Sequence, residues 1–230
     1  TGRSGREETA RQSYSIDAVN EFNPVIDTLY GYCDAQGLKV DTLIHEQGAA
    51  QMEINFLHGD ALNLADQVFV FKRTLRETAL KHHIYATFMA KPMQHEPGSS
   101  MHIHQSLMEI ASGRNVFSAT DQAFSETFYH YLGGLQQYTP QAISFFAPNV
   151  NSYRRFAPDI AAPVNMKWGQ DNRTTGLRAP HSTPEARRIE NRFPGADANP
   201  YLAIAATLAC GYLGMKEKLK PTEPTIGPAY

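Results

Sequence analysis

Cysteine is almost missing from this chain. The two present, Cys33 and Cys210, stand alone and far apart, which excludes a disulfide framework and fits a reducing compartment. No apolar run approaches the roughly 20 residues that a bilayer-spanning helix needs, and no secretory leader pattern is found. The expectation is a cytoplasmic protein with no membrane partner. Charge of one sign is lacking too: 21 basic residues face 23 acidic ones, for a net charge of −2. Nucleic acid is therefore not expected as a partner. There is no CxxC and no HExxH to hold zinc. There is no GxxxxGK[ST] and no kinase-type GxGxxG, so any nucleotide site must be of another design. Repeats, low-complexity blocks and linkers are also absent.

What is present reads as one α+β domain built on an antiparallel sheet. Apolar residues at helical spacing run from Ile16 to Cys33 and stop at Gly37, a C-terminal cap. "LKVDTLIHE" and "AQMEINFL" read as neighbouring strands. Ala61, Leu64, Ala65, Val68, Phe71, Leu75 and Ala79 mark one face of a long amphipathic helix. "IYATFMA" and "SMHIHQSLME" read as paired strands joined by the Pro/Gly loop "KPMQHEPGSS". "SGRN" is a turn. Two shorter helices are expected over 121–138 and 140–146. Short extended pieces follow from 149 to 200, and "NPYLAIAATLACGYLGMKEKL" closes as an apolar helix.

Several stretches put polar side chains where a sheet face should be apolar. In "SSMHIHQSL", residues two apart share a face. His102, His104 and Ser106 therefore point one way, with Met101, Ile103 and Leu107 the other. "HEQGAAQME" sets Glu46 and Glu53 across a Gly-containing link, with Gln51 and Glu53 on one face. "ARRIENRF" places Arg188, Glu190 and Arg192 on one face. "DNRTTGLR" adds Arg173 and Arg178, and "NSYRRF" adds Arg154 and Arg155. Carboxylates with a histidine suit a hard divalent cation such as Mg²⁺ or Mn²⁺. Arginines grip phosphate and carboxylate in bidentate fashion. Metal with arginines points to phosphoryl transfer, which works by positioning and charge neutralisation. Each stretch alone also fits a plainer role: a solvated edge strand for "RRIENR", a surface loop for "NSYRR".

Together, "HEQGAAQME", "KPMQHEPGSSMHIHQSL", "NSYRRFAPDIAAPVNMKWGQDNRTTGLRAP" and "ARRIENRFPGADANPYLA" resemble the glutamine synthetase family. They come in the family's order and cover about 38–219. The resemblance implies an antiparallel half-barrel sheet flanked by helices. It implies an ATP-dependent ligase that makes a γ-glutamyl amide from glutamate and an amine through γ-glutamyl phosphate, with two or more Mg²⁺ or Mn²⁺ per site. It also implies active sites between subunits of a ring-shaped homo-oligomer, a dodecamer of two hexamers. Carried over by position, Glu46 and Glu53 would hold one cation, and His102 and Glu190 the other. Gly98, Arg155 and Arg192 would bind glutamate. Arg173 would face the transferred phosphoryl group. His104, Ser106, Arg173, Arg178, Arg188 and His58 would contact the nucleotide, and Arg173, Arg155 and Arg192 would carry the catalysis.

Three departures from the family pattern stand out, and the first bears on the nucleophile. The loop "APDIAAP" has Ala161 where ammonia-using members carry an acidic residue, with Asp159 two positions away. Pro97 replaces an amide in the loop before His102, and Glu185 stands where a basic residue is common. The absent acidic residue leads to the expectation of an organic amine, as in γ-glutamylpolyamine or γ-glutamyl-monoamine synthetases, with Trp168 as an apolar or cation–π wall where its strand faces the cavity. The alternatives are an ammonia-using glutamine synthetase and an inactive structural or regulatory relative. The family's E-x-E strand and small N-terminal β-domain are not found. Residues 1–230 are thus expected to be an incomplete catalytic domain, inactive alone, with "TGRSGREETARQ" continuing from something upstream.

Overall fold

The computed structural model describes residues 2–120, 123–157 and 162–229. The chain divides into two compact units. One is Thr1–Phe88 with Pro92–Pro97, the other Met89–Lys91 with Gly98–Tyr230. The α+β expectation holds in each. Both sheets are open, and no closed barrel forms among the described residues. No described helix is long and apolar enough to cross a membrane.

In the N-terminal unit the expected first helix is two. Helix α1 (Ile16–Asn20) starts on Ser15, whose side chain accepts from the Ala18 amide, and α2 spans Asn23–Gln36. Pro24 explains the break: it has no N–H, and in an unbroken helix its ring would strike the Asn20 carbonyl. At the start of α2 it is harmless. Gly37 caps α2 at φ 69°, as its position in the sequence predicts. Strands β1 (Val40–His45) and β2 (Met52–Phe56) form an antiparallel pair with His45 opposite Met52 and Ile44 opposite Glu53. Helix α3 (Ala61–Lys81) is capped by Asp60, which accepts from the Leu62 and Asn63 amides at 3.0 Å each. Leu29, Cys33, Leu38 and Phe71 close this unit's core.

In the C-terminal unit the sheet is built from sequence-distant pieces: β3 (Ile103–Gln105), β4 (Trp168–Gln170), β5 (Leu177–Ala179) and β6 (Ile189–Asn191), in the order β3-β6-β5-β4. "IYATFMA" is not a strand, which corrects the expected hairpin; β3 pairs antiparallel with β6 instead. Local alternation marks a strand face but does not name its partner. β5 and β6 are antiparallel, β4 and β5 parallel. Helix α4 (Glu126–Tyr138) starts on Ser125; the expected start at Asp121 lies outside the described residues. Helices α5 (Ile143–Phe146), α6 (Val150–Tyr153) and α7 (Pro200–Glu217) complete the unit. Leu177, Ala179, Ile189 and Trp168 pack on Phe128, Tyr131, Leu132 and Leu135 of α4 and Cys210 of α7. Trp168 is therefore core, its Nε1 donating to the Thr222 carbonyl at 2.6 Å, and not the cavity wall expected from the sequence.

The α4–α7 seam is unusually close. A Cβ at Gly134 would fall on the Cys210 carbonyl and the Gly214 backbone, and one at Gly211 on the Tyr131 ring. Glycine inside a helix costs about 1 kcal/mol relative to alanine. Here the cost is offset by dense packing.

Candidate active site

The second face of the C-terminal sheet carries charge. Alternation sends Ile189 and Asn191 of β6 toward the helices and Glu190 to the other side. Glu190 is only 2% exposed, yet it is surrounded by partners. Arg192 Nη1 donates to its Oε1 at 2.6 Å and Arg178 Nη1 to its Oε2 at 2.9 Å. His102 Nδ1 lies 3.2 Å from Oε1 and His104 Nε2 4.0 Å from it. Register explains the convergence: Glu190 sits opposite both His104 and Arg178. Burial alone would raise the carboxyl's pKa, but His102, Arg192 and His104 outweigh it and hold it at about 2.

The two histidines are neutral and differently wired. Burial, then Arg192, lowers the His102 pKa to about 3. Glu190 is a carboxylate and can only accept, so His102 Nδ1 carries the proton. Its Nε2 then holds a lone pair; that atom is buried and has no hydrogen-bond partner. A neutral imidazole with an uncommitted inward nitrogen, beside a carboxylate, fits a divalent cation. Burial also lowers the His104 pKa. Arg188 Nε donates to its Nδ1 at 3.3 Å, so its proton sits on Nε2, toward Glu190.

Arg155, on the stretch after α6, is 1% exposed. Its guanidinium donates to Ser100 Oγ at 2.9 Å and to the Phe193 carbonyl. It makes no ion pair among the described residues. Burial lowers its pKa to about 10, so it remains charged at neutral pH. Asp197 acts on it electrostatically but makes no ion pair with it, and a buried guanidinium without a direct carboxylate contact suits an anionic ligand. Its stretch is clamped: Asn151 exchanges hydrogen bonds with the Lys91 backbone at 2.8 and 2.9 Å, and Ser152 Oγ donates to Asp197 Oδ2 at 2.6 Å. Gly98 belongs to the same construction. A Cβ there would sit 2.5 Å from Arg155 Cγ and 2.7 Å from the Ala90 carbonyl.

The sequence-expected residues thus fall into groups. His102, His104, Arg178, Arg188, Glu190 and Arg192 are brought together on one face, and Arg155 lies against Gly98. Arg173 is exposed on the β4–β5 loop, and Ser106 is exposed just past β3. Glu46 and Glu53 are in the N-terminal unit. The Glu46 amide donates to the Gln51 carbonyl at 2.7 Å, continuing the β1–β2 ladder. That register puts Glu46 and Glu53 on one face of the hairpin as diagonal neighbours. His58 is exposed between β2 and α3 in that unit. Among the described residues no group of three or more His, Cys, Asp or Glu side chains is arranged to hold a metal ion. Asp159 and Ala161 lie outside the described residues.

Sequence reasoning missed Asp171, which accepts from Arg178 Nη2 at 2.9 Å and from the His181 amide at 3.0 Å. Its only trace in the sequence is an acidic residue directly after the β4 strand in "WGQDNR". It also missed a buried pair in the N-terminal unit: His45 Nε2 lies 2.8 Å from Glu8 Oε1.

Three comparisons bear on this site. The family model "Glutamine synthetase, catalytic domain" matches residues 1–230. A glutamate–isopropylamine ligase of Pseudomonas sp. is 40% identical over 97% of this chain and 49% of its own length. The γ-glutamylputrescine synthetase PuuA of Escherichia coli is 39% identical over 95% of this chain and 46% of its own. A solved structure titled as a GmaS/ADP complex superposes with a TM-score of 0.86 and 33% identity, covering 96% of this chain and 52% of that one. The chain therefore spans about half the length of the relatives it matches.

Proposed function

The chain belongs to the glutamine synthetase family, and from that premise we propose that the protein containing it joins glutamate to an organic amine at the expense of ATP. The glutamate γ-carboxylate oxygen attacks the terminal phosphorus of ATP, and the bond to ADP breaks. The amine nitrogen then attacks the acyl carbon, a proton leaves the nitrogen, and phosphate departs. The products are the γ-glutamyl amide, ADP and phosphate.

The observation that carries the reading is Arg155, a buried charged guanidinium that bonds Ser100 Oγ and the Phe193 carbonyl and makes no ion pair among the described residues. It supports a substrate bearing its own carboxylate, with Arg192 and the narrow backbone at Gly98 alongside. Arg178, Arg188, His104 and Ser106 are assigned to the nucleotide phosphates and His58 to the nucleotide base. Arg173 is assigned to the transferred phosphoryl group, where its charge offsets what develops in the transition state. His102 and Glu190 are assigned to one Mg²⁺ or Mn²⁺, and Glu46 and Glu53 to another. Such ions, when bound, neutralise the phosphate charge. The reading includes assembly into a ring of identical subunits.

An alkyl amine is preferred over ammonia in this reading. Ammonia arrives as ammonium and needs an acid side chain to attract it and ease its deprotonation. Ala161 supplies none. The relatives named for isopropylamine and putrescine support the same choice. The test is phosphate release by the full-length protein with glutamate, ATP and, in turn, ammonia, isopropylamine and putrescine. A kcat/KM higher for one of the amines supports the reading. Equal or better use of ammonia replaces it with a plain glutamine synthetase. No turnover with any nucleophile leaves a structural or regulatory relative.

A further inference from the structure

We propose that Asn172 and Thr174 are positioning residues for Arg173, acting by tying its loop to the segment 222–229. The inference rests on the assignment of Arg173 to the transferred phosphoryl group.

The β4–β5 connection poses a physical problem. The two strands are parallel, with Trp168 opposite Leu177 and Gln170 opposite Ala179. Parallel neighbours usually need a crossover of about a dozen residues or more. Here residues 171–176 make the return alone. Backbone bonds in this tight return are few, the Thr175 amide to the Asn172 carbonyl and the Asp171 amide to the Ala179 carbonyl, and side chains supply the rest. Asn172 Oδ1 accepts from the Thr174 amide at 3.0 Å and from Thr174 Oγ1 at 2.6 Å. Thr175 Oγ1 donates to the Asn172 carbonyl at 2.8 Å. Asn165 Nδ2 donates to the Thr174 carbonyl at 3.0 Å.

Arg173 itself takes no part. Its side chain is exposed and makes no hydrogen bond or ion pair among the described residues. Where its guanidinium can reach is therefore set by the backbone, and both flanking residues are anchored on the 222–229 segment. Asn172 Nδ2 donates to the Thr225 carbonyl at 3.1 Å and the Gly227 carbonyl at 2.8 Å. Thr174 Oγ1 accepts from the Ala229 amide at 2.9 Å, and Asn165 Nδ2 reaches the Ala229 carbonyl at 2.8 Å.

The segment is held in turn from the core. The Trp168 indole donates to the Thr222 carbonyl, and the Thr225 amide donates to the Trp168 carbonyl at 2.8 Å. Gln136 of α4 exchanges hydrogen bonds with Thr222 at 2.9 and 3.1 Å. Gly169 allows the approach, since a Cβ there would lie 2.8 Å from the Thr225 carbonyl. A continuous chain of contacts thus runs from the buried core, through the strap, to the residues on either side of Arg173.

The test compares Asn172→Ala, Thr174→Val and Arg173→Ala, with the double variants, in the full-length protein. Thr174→Val keeps the side chain's shape and covers the case in which Asn172→Ala folds poorly. Steady-state kinetics are read beside amide hydrogen exchange over 171–176. Exchange is expected to rise in both flanking variants. Their kcat should fall about 10- to 100-fold, the scale of a small misplacement of a catalytic group, with KM for ATP and glutamate within about twofold. In the Arg173→Ala background the same substitutions should lower kcat no further, because they act through that side chain. Additive losses would mean a merely structural role and overturn the proposal. Unchanged kcat in the flanking variants, beside a crippled Arg173→Ala, overturns the proposal alone. Unchanged kcat in Arg173→Ala overturns the assignment of Arg173 and the proposal with it.

Discussion

Arg155→Met separates stability from substrate binding at one residue. Burial drops the guanidinium's pKa to about 10 from an ordinary value above about 12, a penalty of about 3 kcal/mol. A base whose pKa is lowered by folding destabilises the fold at every pH below the lowered value. The penalty is therefore present throughout the physiological range and lifts only above pH 10. Methionine removes it. The substitution also strips the donors from Ser100 Oγ and the Phe193 carbonyl, at about 1–2 kcal/mol each. The two sides nearly cancel. The variant should unfold in urea within about 1 kcal/mol of wild type, where removing one partner of a balanced buried ion pair costs about 3–5. The glutamate arm should behave quite differently. A charge-assisted contact worth about 3 kcal/mol corresponds to a roughly 100-fold rise in glutamate KM. Urea melts and glutamate kinetics on the full-length protein read the two arms. Destabilisation of about 3 kcal/mol or more, with KM unmoved, would make Arg155 a structural strut and refute the argument.

Glu190→Gln should destabilise the protein by about 3–5 kcal/mol, because Arg178 and Arg192 would keep their charge with no carboxylate between them; a lowered urea midpoint at constant m reads it. Gly98→Ala should cost about 1–3 kcal/mol, the usual scale of overpacking, since the new methyl meets Arg155 and the Ala90 carbonyl; a thermal melt and the glutamate KM together check it. Trp168→Phe should weaken the fold by losing the Thr222 hydrogen bond while leaving the ratio of kcat/KM between amines unchanged, because the ring lies in the core. Ala161→Glu should shift that ratio toward ammonia, measured by phosphate release with each nucleophile.

Much of this was legible in the chain, for identifiable reasons. Gly37 and Asp60 announce helix ends because capping is local chemistry. The alternation in "MHIHQSL" and "RRIENR" fixes which side chains share a face, and those faces meet at Glu190. What stayed hidden is long-range. No local pattern says that β3 pairs with β6 and not with "IYATFMA". Pro24 lies within an otherwise unbroken apolar period, and its missing N–H overrides that period. Trp168 was misplaced because a three-residue strand alternates too briefly to show which face is core. Asp171 and the Asn172 contacts escaped because a loop's partners are set by where the distant 222–229 segment runs.

The seam between α4 and α7 governs how this fold can vary over generations. Side chains at most helix contacts can be exchanged for others of similar volume, and neighbours adjust. At Gly134, Gly211 and Gly214 the backbones and the Tyr131 ring already occupy the place where a first carbon would go. Any mutation there must push the helices apart, and with them the apolar face of a sheet whose reverse side carries Glu190. Drift at three inconspicuous positions, on the opposite face of the sheet from Glu190, is thus coupled to the spacing of the arginines and histidines. A saturation screen would find those glycines as intolerant as the polar residues themselves.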